Sequence, residues 1–225
     1  MIAEQPHGLF GILLFRVVFM KQEFLSDTVF VYTDGAVSFG QDALALARFC
    51  APNPADVAAD LGTGSGVIPL LWAAENRLPA RVVAVERFAP AAALAAQSVF
   101  ENGLSDRITV HENDWNDLSD SLNGQFTLVS CNPPYFRCES GKCSPDPARA
   151  AARTEENDKA LPRLCKTAAR LLAPDGRFCF CMRPERERDV AAALEAADLE
   201  LVNSAPLENE RGAWLVLYSA KRRNV

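Results

Sequence analysis

Short apolar runs, each the length of a strand and bounded by Gly, Pro, Asn or Asp, recur at residues 57–61, 81–86, 107–111, 126–131, 177–182, 199–204 and 213–219. They read as seven strands. Between them, residues 66–76, 89–102, 157–172 and 185–197 have helix-forming composition. The clearest is Ala-rich, with Pro90 in its first turn and Asn102-Gly103 just past its end. Alternation of this kind predicts an α/β, Rossmann-like fold: a seven-stranded, mostly parallel sheet with helices on both faces. The last two runs are joined by a short loop around residues 206–212 and predict an antiparallel edge hairpin. Residues 20–55 are expected to form an N-terminal cap with 41–50 helical, and residues 56–225 the main domain. Residues 1–19 would be an extension, with Met20 an alternative start.

A chain of 225 residues with 49% hydrophobic content can bury one sizeable core and favours one domain over two. Its net charge of −6 argues against broad affinity for nucleic acid and restricts any such contact to local basic patches. The candidates are Arg183, Arg186 and Arg188, and the tail Lys221 to Arg223. The apolar stretch at residues 8–20 is broken by Arg16 and is too short to span a bilayer. It also lacks the preceding basic region and clean cleavage site of a signal peptide. The seven cysteines form no Cys-x-x-Cys pair, and the two histidines lie far apart, so neither a metal site nor a membrane location is expected. Small buried thiols in a reducing cytoplasm are the expectation, with Cys138 and Cys143 sharing a loop.

The run at 126–131 leads directly into Asn132-Pro133-Pro134-Tyr135. Consecutive prolines fix φ and donate no backbone hydrogen bond. Such a turn holds the Asn side-chain oxygen and neighbouring carbonyls as acceptors aimed into a cleft, where an exocyclic amine is the natural guest. Asn-Pro also marks ordinary turns, so the tetrapeptide does not stand alone.

Upstream lies Asp60-Leu-Gly-Thr-Gly-Ser-Gly66, after the first sheet strand. Ligands of open α/β sheets sit beyond the carboxyl ends of the strands near the topological switch point. Gly62, Gly64 and Gly66 allow a sharp turn and a close ligand approach. The spacing is Gly-x-Gly-x-Gly rather than that of a dinucleotide fingerprint. Glu86 ends the next strand, where a carboxylate can accept both ribose hydroxyls of an adenosine, and Asp114 follows the third strand, placed to accept from the adenine amino group. These residues predict a nucleoside-containing cofactor.

Together, Asp60 to Gly66, Glu86, Asp114 and Asn132 to Tyr135 resemble the ordered motifs of class I S-adenosylmethionine-dependent methyltransferases acting on exocyclic or amide nitrogen. Phe39-Gly-Gln-Asp-Ala-Leu44, Ala152-Arg-Thr-Glu155 and Met182-Arg-Pro-Glu-Arg186 are similar to segments of the bacterial tRNA1(Val) adenine-37 N6-methyltransferase group, which usually carries Thr where Gln41 stands. The resemblance implies S-adenosylmethionine as cofactor, held by Asp60, Gly62, Thr63, Gly64, Gly66, Glu86, Asp114 and Asn132, with the methionine portion near residues 60–64. It implies catalysis by Asn132, Pro133, Pro134 and Tyr135. Asn132 Oδ1 and the Pro133 carbonyl would accept the amino hydrogens, and Tyr135 would stack on the base, worth roughly 1–3 kcal/mol. Phe136, Arg153 and Arg186 would contact a tRNA acceptor, with Arg153 and Glu155 ordering the loop at 135–149.

Other acceptors fit the same chemistry. A protein glutamine amide poses the same problem, although that group usually carries a separate helical N-terminal domain for which about 55 residues leave no room. A DNA adenine methyltransferase would need a target-recognition domain that is not visible. A non-catalytic nucleotide-binding module would use residues 62–86 alone.

Overall fold

The computed structural model describes residues 20–133, 136–137, 154–155 and 160–223. Its main sheet contains β3 (Val57–Leu61), β4 (Arg81–Glu86), β5 (Ile108–Glu112), β6 (Phe126–Cys131), β9 (Leu172–Met182), β10 (Leu199–Asn209) and β11 (Gly212–Arg222). The strand order is β10-β11-β9-β6-β3-β4-β5. All neighbours run parallel except β11, which is antiparallel to both β9 and β10. The chain builds outward from β3 to β4 and β5, then returns to place β6 on the other side of β3. The β3/β6 boundary is therefore the topological switch point.

The central strands are apolar throughout because both faces are covered. On one face, Ala59, Leu61, Val83, Val85, Val129, Phe178 and Phe180 pack with α4 (Ala160–Leu171) and α5 (Glu187–Glu195). On the other, Ala58, Val82, Ala84, Leu128, Cys179 and Cys181 meet α1 (Gln41–Cys50), α2 (Val67–Ala74) and Val99 of α3 (Ala89–Glu101). In α4, Leu161, Leu164, Cys165, Ala168 and Leu171 recur at three- and four-residue spacing and form a single buried stripe. Each buried large aliphatic contributes about 1.5–3 kcal/mol. By contrast α2 is apolar on every side and lies inside the fold, with the indole N–H of Trp72 donating to the Ala47 carbonyl of α1 at 2.8 Å.

A partly buried ion pair secures the edge of the sheet remote from the switch-point turns. Arg177 donates to Asp56 at 2.9 Å and also to the carbonyls of Cys50 and Ala51. Burial pushes the Asp56 carboxyl up, but hydrogen bonds from Arg177, the Asn53 N–H and Thr127 together hold it below its ordinary value.

Several bounds differ from the sequence reading. The edge hairpin is longer than expected: β10 continues through Pro206 to Asn209, and β11 begins at Gly212. Proline is tolerated there because β10 is an edge strand, where a missing donor breaks no ladder on the open side. Strand β9 starts at Leu172 rather than residue 177. An unanticipated antiparallel hairpin, β1 (Lys21–Phe24) and β2 (Phe30–Thr33), lies against α3, with the Phe30 and Tyr32 N–H groups donating to Asn102 and Ser98. A short parallel pair, β7 (Phe136–Arg137) and β8 (Thr154–Glu155), brings together the two ends of the intervening segment. Cys50, Cys131, Cys165, Cys179 and Cys181 are free, buried thiols, whereas Cys138 and Cys143 lie outside the described residues.

Candidate active site

The Gly-rich turn leaves β3 at the switch point and is tied to β4, because the N–H groups of Gly62 and Thr63 both donate to the Val85 carbonyl, at 2.8 and 3.0 Å. Gly62 and Gly64 have φ of +70° and +59°, a left-handed conformation that disfavours side chains. A Cβ on Gly62 would also stand 3.0 Å from the Trp115 ring, whereas one on Gly64 would meet nothing within 4 Å. The turn is therefore packed underneath by Trp115 and open at Gly64.

Asp60 is fully buried at the end of β3. Its Oδ1 accepts from Ser130 at 2.7 Å, while Oδ2 has no hydrogen-bond partner, nor does the buried hydroxyl of neighbouring Thr63. Burial pushes the Asp60 carboxyl up to about 6, opposed by the Thr63 hydroxyl, which is close but outside hydrogen-bond geometry, and by the hydrogen bond from Ser130, and reinforced by the Glu86 charge. A buried carboxylate with an unused oxygen is costly unless something completes it. A cationic ammonium group would do so.

Glu86, at the end of β4, accepts from the Gly64 N–H at 3.0 Å through Oε2 and from the Phe88 N–H at 2.8 Å through Oε1. Each carboxylate oxygen keeps a further acceptor position, so Glu86 can shape the turn and still receive two hydroxyls. Asp114 caps a short 3-10 helix, its Oδ1 accepting from the Asn116 N–H at 2.9 Å and from its amide at 2.7 Å. Its Oδ2 stands 4.0 Å from the Arg87 guanidinium.

The register across the switch point aligns Asp60 with Ser130 and Leu61 with Cys131, so Asn132 leaves β6 beside the Gly-rich turn. The half-buried Asn132 amide is held from two sides. Its Nδ2 donates to Asp42 Oδ2 at 3.2 Å, and its Oδ1 accepts from the Cys181 thiol at 3.0 Å. Pro133 is buried. Pro134, Tyr135 and Arg153 lie outside the described residues, and Phe136 belongs to β7. Arg186 follows β9 on the site's edge of the sheet, with only 12% of its side chain exposed and its guanidinium paired to Asp189. Since β11 runs antiparallel, Lys221 pairs in register with Arg177, which places the Lys221 to Arg223 segment at the opposite edge. Asp42, Cys181 and Trp115 join the site without having been singled out as site residues from sequence. Trp115 follows Asp114 directly, which was an available signal, but Asp42 is 90 residues from its partner.

A family model described as "Methyltransferase small domain" matches residues 25–198. The chain belongs to this family. Among proteins similar to this methyltransferase small domain, a tRNA1(Val) (adenine(37)-N6)-methyltransferase of Serratia proteamaculans is 33% identical over 160 residues, 71% of this chain and 59% of the relative. One of Porphyromonas gingivalis is 35% identical over 180 residues, 76% of this chain and 68% of the relative. The chain thus spans between about three-fifths and two-thirds of these relatives' lengths. Thermus thermophilus TrmN shares the fold, with a TM-score of 0.59 at 22% identity, covering 80% of this chain and 48% of that one. S-adenosylmethionine is the cofactor of methyltransferases of this family, and the residues fit it: an incomplete buried carboxylate for an ammonium, an open Gly64 and a half-occupied Glu86 for ribose hydroxyls. Among the described residues, no cluster of three His, Cys, Asp or Glu could hold a metal, and no helix is long and apolar enough to cross a membrane.

Proposed function

We propose that this chain transfers a methyl group from S-adenosylmethionine to N6 of an adenine in a tRNA, acting in the cytoplasm. The observation that carries the reading is that the Gly-rich turn and Asn132 leave the switch point side by side, since the strands before them end paired at Leu61 and Cys131. Support for the acceptor comes from the relatives named for adenine-37 of tRNA1(Val).

Asp60, Thr63, Gly64 and Glu86 would hold the cofactor, which supplies an electrophilic methyl group when bound. The protein's task is then to make a poor nucleophile available, because the lone pair of the adenine amino nitrogen is delocalised into the ring. Asn132 Oδ1 and the Pro133 carbonyl accept the two amino hydrogens and turn the lone pair out of the ring plane. The nitrogen gains the methyl group and loses one hydrogen as a proton to solvent, so a strong protein base is not needed. Positioning of this kind is worth on the order of 7–11 kcal/mol when well oriented. Tyr135 and Phe136 form the proposed base platform, and Arg153 and the exposed Arg188 approach the RNA backbone, Arg186 being largely enclosed and paired to Asp189. A base in an anticodon loop is more easily extruded than one in a duplex.

Nucleoside digests of tRNA from cells with and without the gene test the reading. N6-methyladenosine that depends on the gene is the expected result. Methylglutamine in a protein acceptor, with tRNA unchanged, would overturn it.

A further inference from the structure

Asn132 can serve as an acceptor only if its oxygen, not its nitrogen, faces the amine. The two ends of an amide are nearly the same shape, so the choice must come from its neighbours. A carboxylate accepts and cannot donate, so Asp42 Oδ2, 3.2 Å away, admits the Nδ2 end alone. On the opposite side the Cys181 thiol, 3.0 Å from Oδ1, is a donor and favours oxygen there. A carbonyl oxygen has two lone pairs, which lets it receive both the thiol and an incoming amino hydrogen.

We infer that Asp42 is a positioning residue that sets the orientation of the Asn132 amide. The inference rests on the proposed role of Asn132 as acceptor of the amino hydrogens.

The local backbone is shaped for this contact. Asp42 occupies the first turn of α1, where an acidic residue is ordinarily explained by the helix dipole. Its carboxylate, however, folds back over Gly40, so that a Cβ there would stand 2.6 Å from Asp42 Oδ1. Gly40 has an extended backbone that any residue could adopt, with φ −127°. What glycine provides is room for the carboxylate. The same conclusion follows from the sheet: Ser130 aligns with Asp60 and with Cys179. Alternation then sends the side chains of Ser130, Asn132 and Cys181 to the face covered by α1.

Exchange of the two residues provides the test. In Asp42→Asn the new amide can accept as well as donate, the Asn132 amide is no longer held one way round, and kcat should fall by about three- to tenfold while cofactor affinity stays within about twofold. Asn132→Asp sets two carboxylates against each other and should lose at least about tenfold in kcat. Combining the two substitutions restores one donor facing one acceptor. The double variant should exceed Asn132→Asp alone by about fivefold or more, although Asp42→Asn is harmful by itself. Gly40→Ala, which displaces the carboxylate without altering its charge, should match Asp42→Asn. A helix-dipole role predicts a lower melting temperature and no rescue. The inference falls if Asp42→Asn keeps wild-type kcat, or if the double variant is no better than Asn132→Asp. Should Asn132→Ala keep full turnover, the acceptor role of Asn132 falls, and the inference with it. Loss of turnover in Asn132→Ala without any rescue in the exchange overturns the Asp42 inference alone.

Discussion

The Glu86 carboxylate receives the Gly64 N–H at 3.0 Å, tying the end of one strand to the open glycine at the end of its neighbour. With its other oxygen on the Phe88 N–H, Glu86 fixes both the Gly-rich turn, proposed to face the methionine portion, and the entry to α3. The residue proposed to bind ribose is thus also the one that holds the cradle in shape.

Removal of this carboxylate should therefore act twice. For Glu86→Ala, calorimetric titration should give a loss of cofactor affinity of about 1.5–3 kcal/mol or more, since charge-assisted hydrogen bonds of that size disappear and two backbone N–H groups lose their acceptor. Glu86→Gln keeps the shape but presents a donor on one side, and should fall between Glu86→Ala and wild type.

Asp60 makes stability and cofactor binding respond to pH in opposite senses. Its carboxyl is raised from 3.8 to about 6 in the folded protein. Between those values the folded chain keeps a proton that the unfolded chain has released, so the stability of ligand-free protein should fall as pH rises across that window. Above it the cost is constant. Asp60→Asn should stabilise the ligand-free protein at neutral pH by up to on the order of 3 kcal/mol, measured by denaturant titration. Binding of an ammonium-bearing cofactor favours the ionised form, so affinity should rise with pH up to about 6 and then level off. Asp60→Asn should flatten that profile and bind weakly.

Gly62 is constrained by backbone and by a neighbouring ring. Gly62→Ala meets Trp115 at 3.0 Å and imposes a left-handed conformation on alanine, costing about 1–2 kcal/mol for the backbone alone. Thermal unfolding should show the loss. Gly64→Ala carries a similar backbone cost without a clash, so its cofactor affinity should drop further than its stability does.

If an RNA is bound, its backbone should be felt at the site's edge of the sheet. Arg188 is exposed at the start of α5, whereas Lys221 pairs with Glu200 at the far edge. Arg188→Glu should make the log–log slope of tRNA affinity against salt shallower by roughly 0.7–0.9 for each phosphate that is no longer neutralised. Lys221→Glu should leave the slope unchanged. Equal effects of the two would argue against an acceptor lying over the carboxyl ends of the strands.

The parts of the fold that the sequence revealed most faithfully are those buried on both faces. Val57–Leu61, Arg81–Glu86 and Phe126–Cys131 have the predicted bounds, because continuous apolar runs stop where burial stops. Strand β10 was cut short in prediction after Ser204 because Pro206 looks like a break and the exposed, polar Glu208 and Asn209 follow it. The β1–β2 hairpin was missed for a related reason, since Lys21, Gln22 and Glu23 are polar and their ladder depends on a bed supplied by α3. At the site, glycines and strand-end acids follow their motifs in order and were legible. The Asp42–Asn132 pairing was not, because local spacing gives no indication of which of many surface acids a distant amide will meet.

The buried thiols give the protein an internal clock for its own opening. Burial alone pushes Cys165 up to about 12, and Cys131 is raised well above its ordinary range by burial first and the Asp60 charge second. Held as thiols and shielded by α4 and the sheet, they cannot react with an alkylating reagent until the surrounding layer separates. The rate at which Cys131 and Cys165 acquire label under native conditions therefore reports how often the core beneath the Gly-rich turn opens. Saturation with S-adenosylmethionine should slow that labelling by up to the factor, one plus the ratio of cofactor concentration to Kd, by which binding depletes the open state.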